Sequence, residues 1–179
     1  MFRLLPILLS FLVALSACSP APTPPRMGPD GKPLPRLYRI SSADEARIQY
    51  GILDSVNALR NAAGKRSLAL EPRLNAAAAT HARDMAVQNR PWHFGSDGSS
   101  PIDRVRRVGY TGHFVGELIS ETYETETETL AAWAEDPITR KVLMSDDADQ
   151  LGFAWFQENN GKIWWTMELG ASAPIMALQ

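Results

Sequence analysis

LDSVNALRNAAGKRSLALEPRLNAAAATHARDMA, residues 53–86, changes its periodicity twice, and those changes decide the fold. Just upstream, Ser42 and Glu45 read as a capping box, and Ile48, Ile52, Val56 and Leu59 recur at helical spacing until Gly64 closes the helix. Leu68 and Leu70 then alternate with Ser67 and Ala69, which predicts a short extended step. Pro72 opens a second helix to about Gln88, with Leu74, Ala77, Ala78, His81 and Met85 on one side. His81 reads there as a satisfied core histidine.

Downstream, Ser100-Pro101-Ile102-Asp103 starts a short helix ending at Gly109, and Phe114–Ile119 reads as a strand. Thr125 and Glu128 cap a further helix through Leu130 and Trp133, which Pro137 stops or bends. Leu151–Phe156 and Ile163–Leu169 flank Asn159-Asn160-Gly161-Lys162, a strong hairpin turn. Helices that precede and interrupt a few strands predict an α+β domain. The expected form is a three-layer α/β/α sandwich with a small, mainly antiparallel sheet covered by helices.

The chain has 179 residues, 45% hydrophobic and 21% charged, enough for one packed domain plus appendages. A net charge of −2 with scattered basic residues argues against a nucleic-acid partner. Arg104, Arg106 and Arg107 read as the solvated face of a helix. Glu121, Glu124, Glu126 and Glu128 read as a solvated acidic face aided by the helix dipole.

The single cysteine needs a role other than an internal disulfide. Met1-Phe2-Arg3 precedes an apolar run from Leu4 to Leu15 that ends Leu15-Ser16-Ala17-Cys18. This resembles the lipobox of bacterial lipoproteins, which implies cleavage before Cys18 and lipidation of its thiol. The expected partner is therefore a membrane, held through acyl chains. Ser19 after the anchor implies the periplasmic face of the outer membrane in a Gram-negative cell envelope. Removing residues 1–17 takes away only Arg3, leaving a net charge of −3. Residues 18–41, rich in proline from Pro20 to Pro35, read as a tether, and residues 42–179 as the domain.

Several segments, spanning about residues 45–170, resemble the CAP superfamily of cysteine-rich secretory and SCP-like proteins in its bacterial branch. The quoted stretch resembles its first two helices and the strand between them. WHFGSDGSSPIDRVRRVGY at 92–110, VGELI at 115–119, LAAWAEDP at 130–137, LGFAW at 151–155 and IWWTMELG at 163–170 follow in the family's order. The resemblance implies a cleft with two histidines and two acidic residues, which in some members hold a divalent metal.

Carried over, His93 matches the first histidine and Glu117 the first glutamate. Asp136 matches the second acid, with Glu135 as the alternative. Thr139 stands where the second histidine belongs, and a hydroxyl is a poor zinc ligand beside imidazole. His113, four residues before Glu117, is a substitute candidate. Read without the family, a lone loop histidine is more often a surface group, whereas a carboxylate in an apolar strand needs a partner.

Three functions compete. One is a non-enzymatic module binding a small lipid, glycan or peptide in the His93–Glu117 cleft, together with Glu135, Asp136 and Thr139. The second is a hydrolase using His93 and Glu117. The third is a structural envelope protein. No Gly-x-Ser-x-Gly or His-Glu-x-x-His motif supports catalysis. The incomplete ligand set predicts weak or absent binding of divalent metal.

Overall fold

A computed structural model describes residues 27–32 and 37–173. The chain divides into two compact units, Met1–Arg36 and Leu37–Gln179. In the first, a turn is closed by the Gly28 N–H on the Lys32 carbonyl, with Gly31 at φ 72°. The leader, Cys18 and most of the tether lie outside the described residues.

In the second unit, Leu37–Ser41 runs along the domain instead of away from it. Gln157 accepts from the Ile40 N–H and donates to the Tyr38 carbonyl, pinning the chain in extended form. The first turn therefore starts at Ser41, and the capping box falls on Ser41 and Asp44, one residue ahead of the expected Ser42 and Glu45. A 3₁₀ turn, Ser42–Asp44, leads into α1, Glu45–Ala62. Then come β1 (Ala69–Leu70), α2 (Pro72–Gln88), α3 (Pro101–Arg107) and β2 (His113–Ser120). The chain ends its described part with α4 (Glu126–Glu135), α5 (Pro137–Leu143), β3 (Gln150–Gln157) and β4 (Ile163–Ala171). Pro137 both stops α4 and starts α5, because Asp136 accepts the Ile138 and Thr139 N–H groups at 2.9 Å as an N-cap.

The strands lie in the order β1-β3-β4-β2. β3 pairs antiparallel with β4 through the Asn160-Gly161 turn, β2 antiparallel with β4, and the two-residue β1 parallel with β3. Alternation along the strands sends side chains to two helix-covered faces. Leu151, Phe153, Trp165, Met167 and Leu118 meet α1, α4 and α5 through Ile52, Val56, Trp133 and Leu143, all buried. Phe153 stacks on Trp165 at 5.7 Å and meets the Trp133 edge at 6.4 Å.

The opposite face packs on α2 and α3 through Leu74, Ala77, Ala82, Met85, Val105 and Trp164. A Cβ on Gly152 would lie 2.2 Å from the Leu74 backbone carbon, so only glycine lets α2 seat on β3. The expected three-layer α+β sandwich with a mainly antiparallel sheet is the fold observed. Among the described residues no helix is long and apolar enough to cross a membrane.

Two inward positions differ from the apolar periodicity. Leu59 is partly exposed, and Arg60 is buried in its stead. Arg60 donates to the carbonyls of Arg66, Leu143, Ser145 and Ala148, which removes the desolvation penalty of unpaired N–H groups and ties α1 to the α5–β3 link.

Candidate functional site

Glu117 and Glu168 face each other across the β2–β4 ladder, on the face that α2 covers. The loop after α2 closes over them. Asn89 takes a left-handed φ of 48° and ends the helix. Gln88 accepts the Trp92 indole N–H and donates to the Phe94 carbonyl and to Asp84, which in turn accepts the Ser96 N–H and hydroxyl. Residues 92–96 are thus laced to α2.

That lacing delivers His93 to Glu117. Its Nδ1 lies 2.8 Å from Glu117 Oε1, and Glu117 Oε2 accepts from Arg104 Nη2 at 2.5 Å. The side chains of Glu117 and Arg104 are 1% and 4% exposed, whereas that of His93 is 53% exposed. Arg104 Nη1 also donates to the His93 and Ser99 carbonyls, locking the loop from below. The ionised Glu117 oxygen can only accept, so His93 Nδ1 carries a proton and donates to it, which fixes the orientation of a half-exposed ring.

His81 completes the buried side. Its Nε2 donates to the Trp92 carbonyl at 3.0 Å and lies 3.6 Å from Glu117 Oε1, while its Nδ1 has no partner. Burial pushes its pKa down, against the Glu117 charge that raises it, so the ring is neutral. Burial acts to raise the Glu117 carboxyl. The hydrogen bond from His93 and the charge on Arg104 outweigh it, and Glu117 is held below the usual carboxylate range. Burial and the adjacent Glu117 charge drive Glu168 well above that range, against the pull of Arg104. Glu117 is therefore the ionised member and Glu168 the neutral one.

This corrects the expectation for Arg104, which is not on a solvated helix face. Arg107 does lie outside, paired with Asp97 at 2.6 Å. The acidic stretch is likewise not wholly solvated, because Glu121 pairs with Lys162 and Glu126 accepts from Tyr38 at 2.7 Å.

The structure does not bring the other candidates into contact with His93 and Glu117. Asp136 caps α5, and Thr139 donates to the Trp133 carbonyl at 2.8 Å, so both are engaged at the α4–α5 junction; Glu135 is exposed there. His113 begins β2 opposite Ala171, about 13 Å of strand rise from Glu117. His81, Arg104 and Glu168 are the members that the sequence reading missed. Glu168 carried a usable signal, since it is a lone acid in an apolar strand, as Glu117 is.

The donor set does not fit a divalent ion. Both Glu117 oxygens are spent, on an imidazole N–H and on a guanidinium, and the permanent charge of Arg104 already occupies the cation's electrostatic place. Among the described residues no group of three metal-ligating side chains converges.

Fold and site together define a helix-covered mixed sheet with one imidazole held at its surface by a buried acid. Residues 53–169 match the family described as CAP: Cysteine-rich secretory protein family, and the chain belongs to that family. Its fold is similar to an outer surface protein from Borrelia burgdorferi, with 15% identity, a TM-score of 0.66, and coverage of 77% of this chain and 100% of that one. It is also similar to an extracellular protein containing a SCP domain from Bacillus anthracis, with 20% identity, a TM-score of 0.65, and coverage of 75% and 45%. A cysteine-rich secretory protein from Staphylococcus aureus has 13% identity and a TM-score of 0.60, with coverage of 79% and 44%. The chain thus spans less than half the length of the last two. No curated protein sequence matches it.

Proposed function

We propose that this protein is a lipid-anchored CAP-domain protein of the bacterial cell envelope, acting as a non-enzymatic binding module at His93. The observation that carries the reading is the contrast between a fully buried Glu117 and a half-exposed His93 hydrogen-bonded to it at 2.8 Å. One imidazole held in a fixed orientation at the surface suits recognition of a polar group on a small lipid, glycan or peptide. Among the described residues no serine, threonine or cysteine hydroxyl or thiol partners His93, so the imidazole has no side-chain nucleophile to activate. The lipobox-like Leu15-Ser16-Ala17-Cys18 supports the anchor, and the surface and extracellular descriptions of two structural neighbours support the location.

Two measurements test this. Mass analysis of extracts should find a small molecule that copurifies with the wild type and not with His93→Ala. Titration calorimetry with zinc should show no submicromolar binding. Submicromolar binding that vanishes in His93→Ala would establish a metal site and put the hydrolase reading first.

A further inference from the structure

On the opposite edge of the sheet from β2, a cavity of about 210 Å³ lies where α1 and α2 meet the outer edge of β3. Its walls include Glu45, Gln49, Asn75 and Trp155, and Ala79 and Ala154 leave room between them. Each of the four larger side chains brings an unspent polar group. Trp92, Trp133, Trp164 and Trp165 all donate their indole N–H within the protein. Among the described residues Trp155 has no acceptor for its own, and this nitrogen is not sealed from solvent.

Gln49 and Asn75 are each half used. Gln49 Nε2 donates to the Phe153 carbonyl at 3.3 Å and to Asn75 Oδ1, which also accepts the Phe153 N–H at 3.1 Å. Those bonds to the β3 backbone fix both amides in orientation. They leave Gln49 Oε1 as an acceptor and Asn75 Nδ2 as a donor with no protein partner among the described residues. The Glu45 carboxylate likewise has no ion-pair or hydrogen-bond partner there. Strand alternation also points the Trp155 N–H and C=O outward, as it does those of Phe153.

We infer that this cavity binds a single uncharged sugar ring. Sugar hydroxyls each donate and accept, which matches an indole N–H and an amide NH₂ set among an amide oxygen and a carboxylate. No lysine, arginine or histidine lines the cavity, so nothing there compensates an anion. Its volume is below the roughly 300–1,000 Å³ of sites for drug-sized ligands, which limits the occupant to about one ring. The amides are preorganised, so little ordering cost falls on binding.

The test is a two-dimensional proton–nitrogen NMR titration of the full chain with methyl β-glucoside and with N-acetylglucosamine. The Trp155 indole signal, alone among the indoles, should move and saturate with one of them. Ala79→Leu on the exposed side of α2 fills the cavity without touching the core, and the shift should disappear. Trp155→Phe keeps a ring but loses the N–H. Binding, read at the Ala154 amide, should weaken about tenfold, as expected for one hydrogen bond. Three results would overturn the inference: no indole shift, a shift that persists in Ala79→Leu, or a response to a short peptide and to neither sugar.

Discussion

Replacing Arg104 with methionine keeps most of the side-chain volume and removes the guanidinium from beside Glu117. Both side chains are almost fully buried, at 4% and 1% exposure, so solvent cannot take over the pairing. Breaking a buried ion pair from one side costs about 3–5 kcal/mol, because a charge is left uncompensated in a poorly solvating interior. The lost bonds to the His93 and Ser99 carbonyls fall within that figure, since the loop can partly rehydrate. The penalty should also depend on pH. In the wild type the Glu117 carboxyl is held below its ordinary value, so its stabilisation is present above the unfolded carboxylate pKa, about 4.3, and fades as pH falls through the folded value. Without Arg104, burial, which raises the carboxyl, gains weight. Urea unfolding followed by tryptophan fluorescence should therefore show a larger loss at about pH 7 than at about pH 4.5. Adding Glu117→Leu should recover more than about 1 kcal/mol. A loss under about 1 kcal/mol, equal at both pH values, would mean that the pair behaves as an exposed one and would refute the reasoning.

Glu168→Gln removes a carboxyl that burial and the Glu117 charge hold far above its usual pKa. A raised folded pKa contributes stability fully below the unfolded value and loses it as pH rises through the folded one. The variant's melting temperature should therefore gain on the wild type as pH rises above the unfolded carboxylate pKa, about 4.3, and a pH-independent difference would contradict this. Trp133→Ala should cost about 3–5 kcal/mol by chemical denaturation, since the ring meets the Phe153 edge and donates to the Ile119 carbonyl. Cys18→Ala should abolish the acyl mass of the mature protein and its cleavage by lipoprotein signal peptidase; a wild-type protein unmodified at Cys18 would rule the anchor out.

The layers of the fold were legible because local rules and burial agree. The Pro72 start of α2, the Thr125–Glu128 cap and the Asn160-Gly161 turn are short-range devices whose chemistry lies within a few residues. The strands β3 and β4 were legible because alternation converts directly into two buried faces. His93 and Glu117 were found through resemblance, and a carboxylate in an apolar strand supplied the physical reason to look. Arg60 and Arg104 could not be read in this way. A cation on a helix reads as solvated unless something far along the chain supplies its acceptors. The partners of Arg60 at Leu143, Ser145 and Ala148 lie more than eighty residues away, and Glu117 reaches Arg104 only through strand β2. Sequence alone determined which faces are apolar. Only the tertiary structure decided which charges are buried, because burying one requires acceptors that the fold alone brings together.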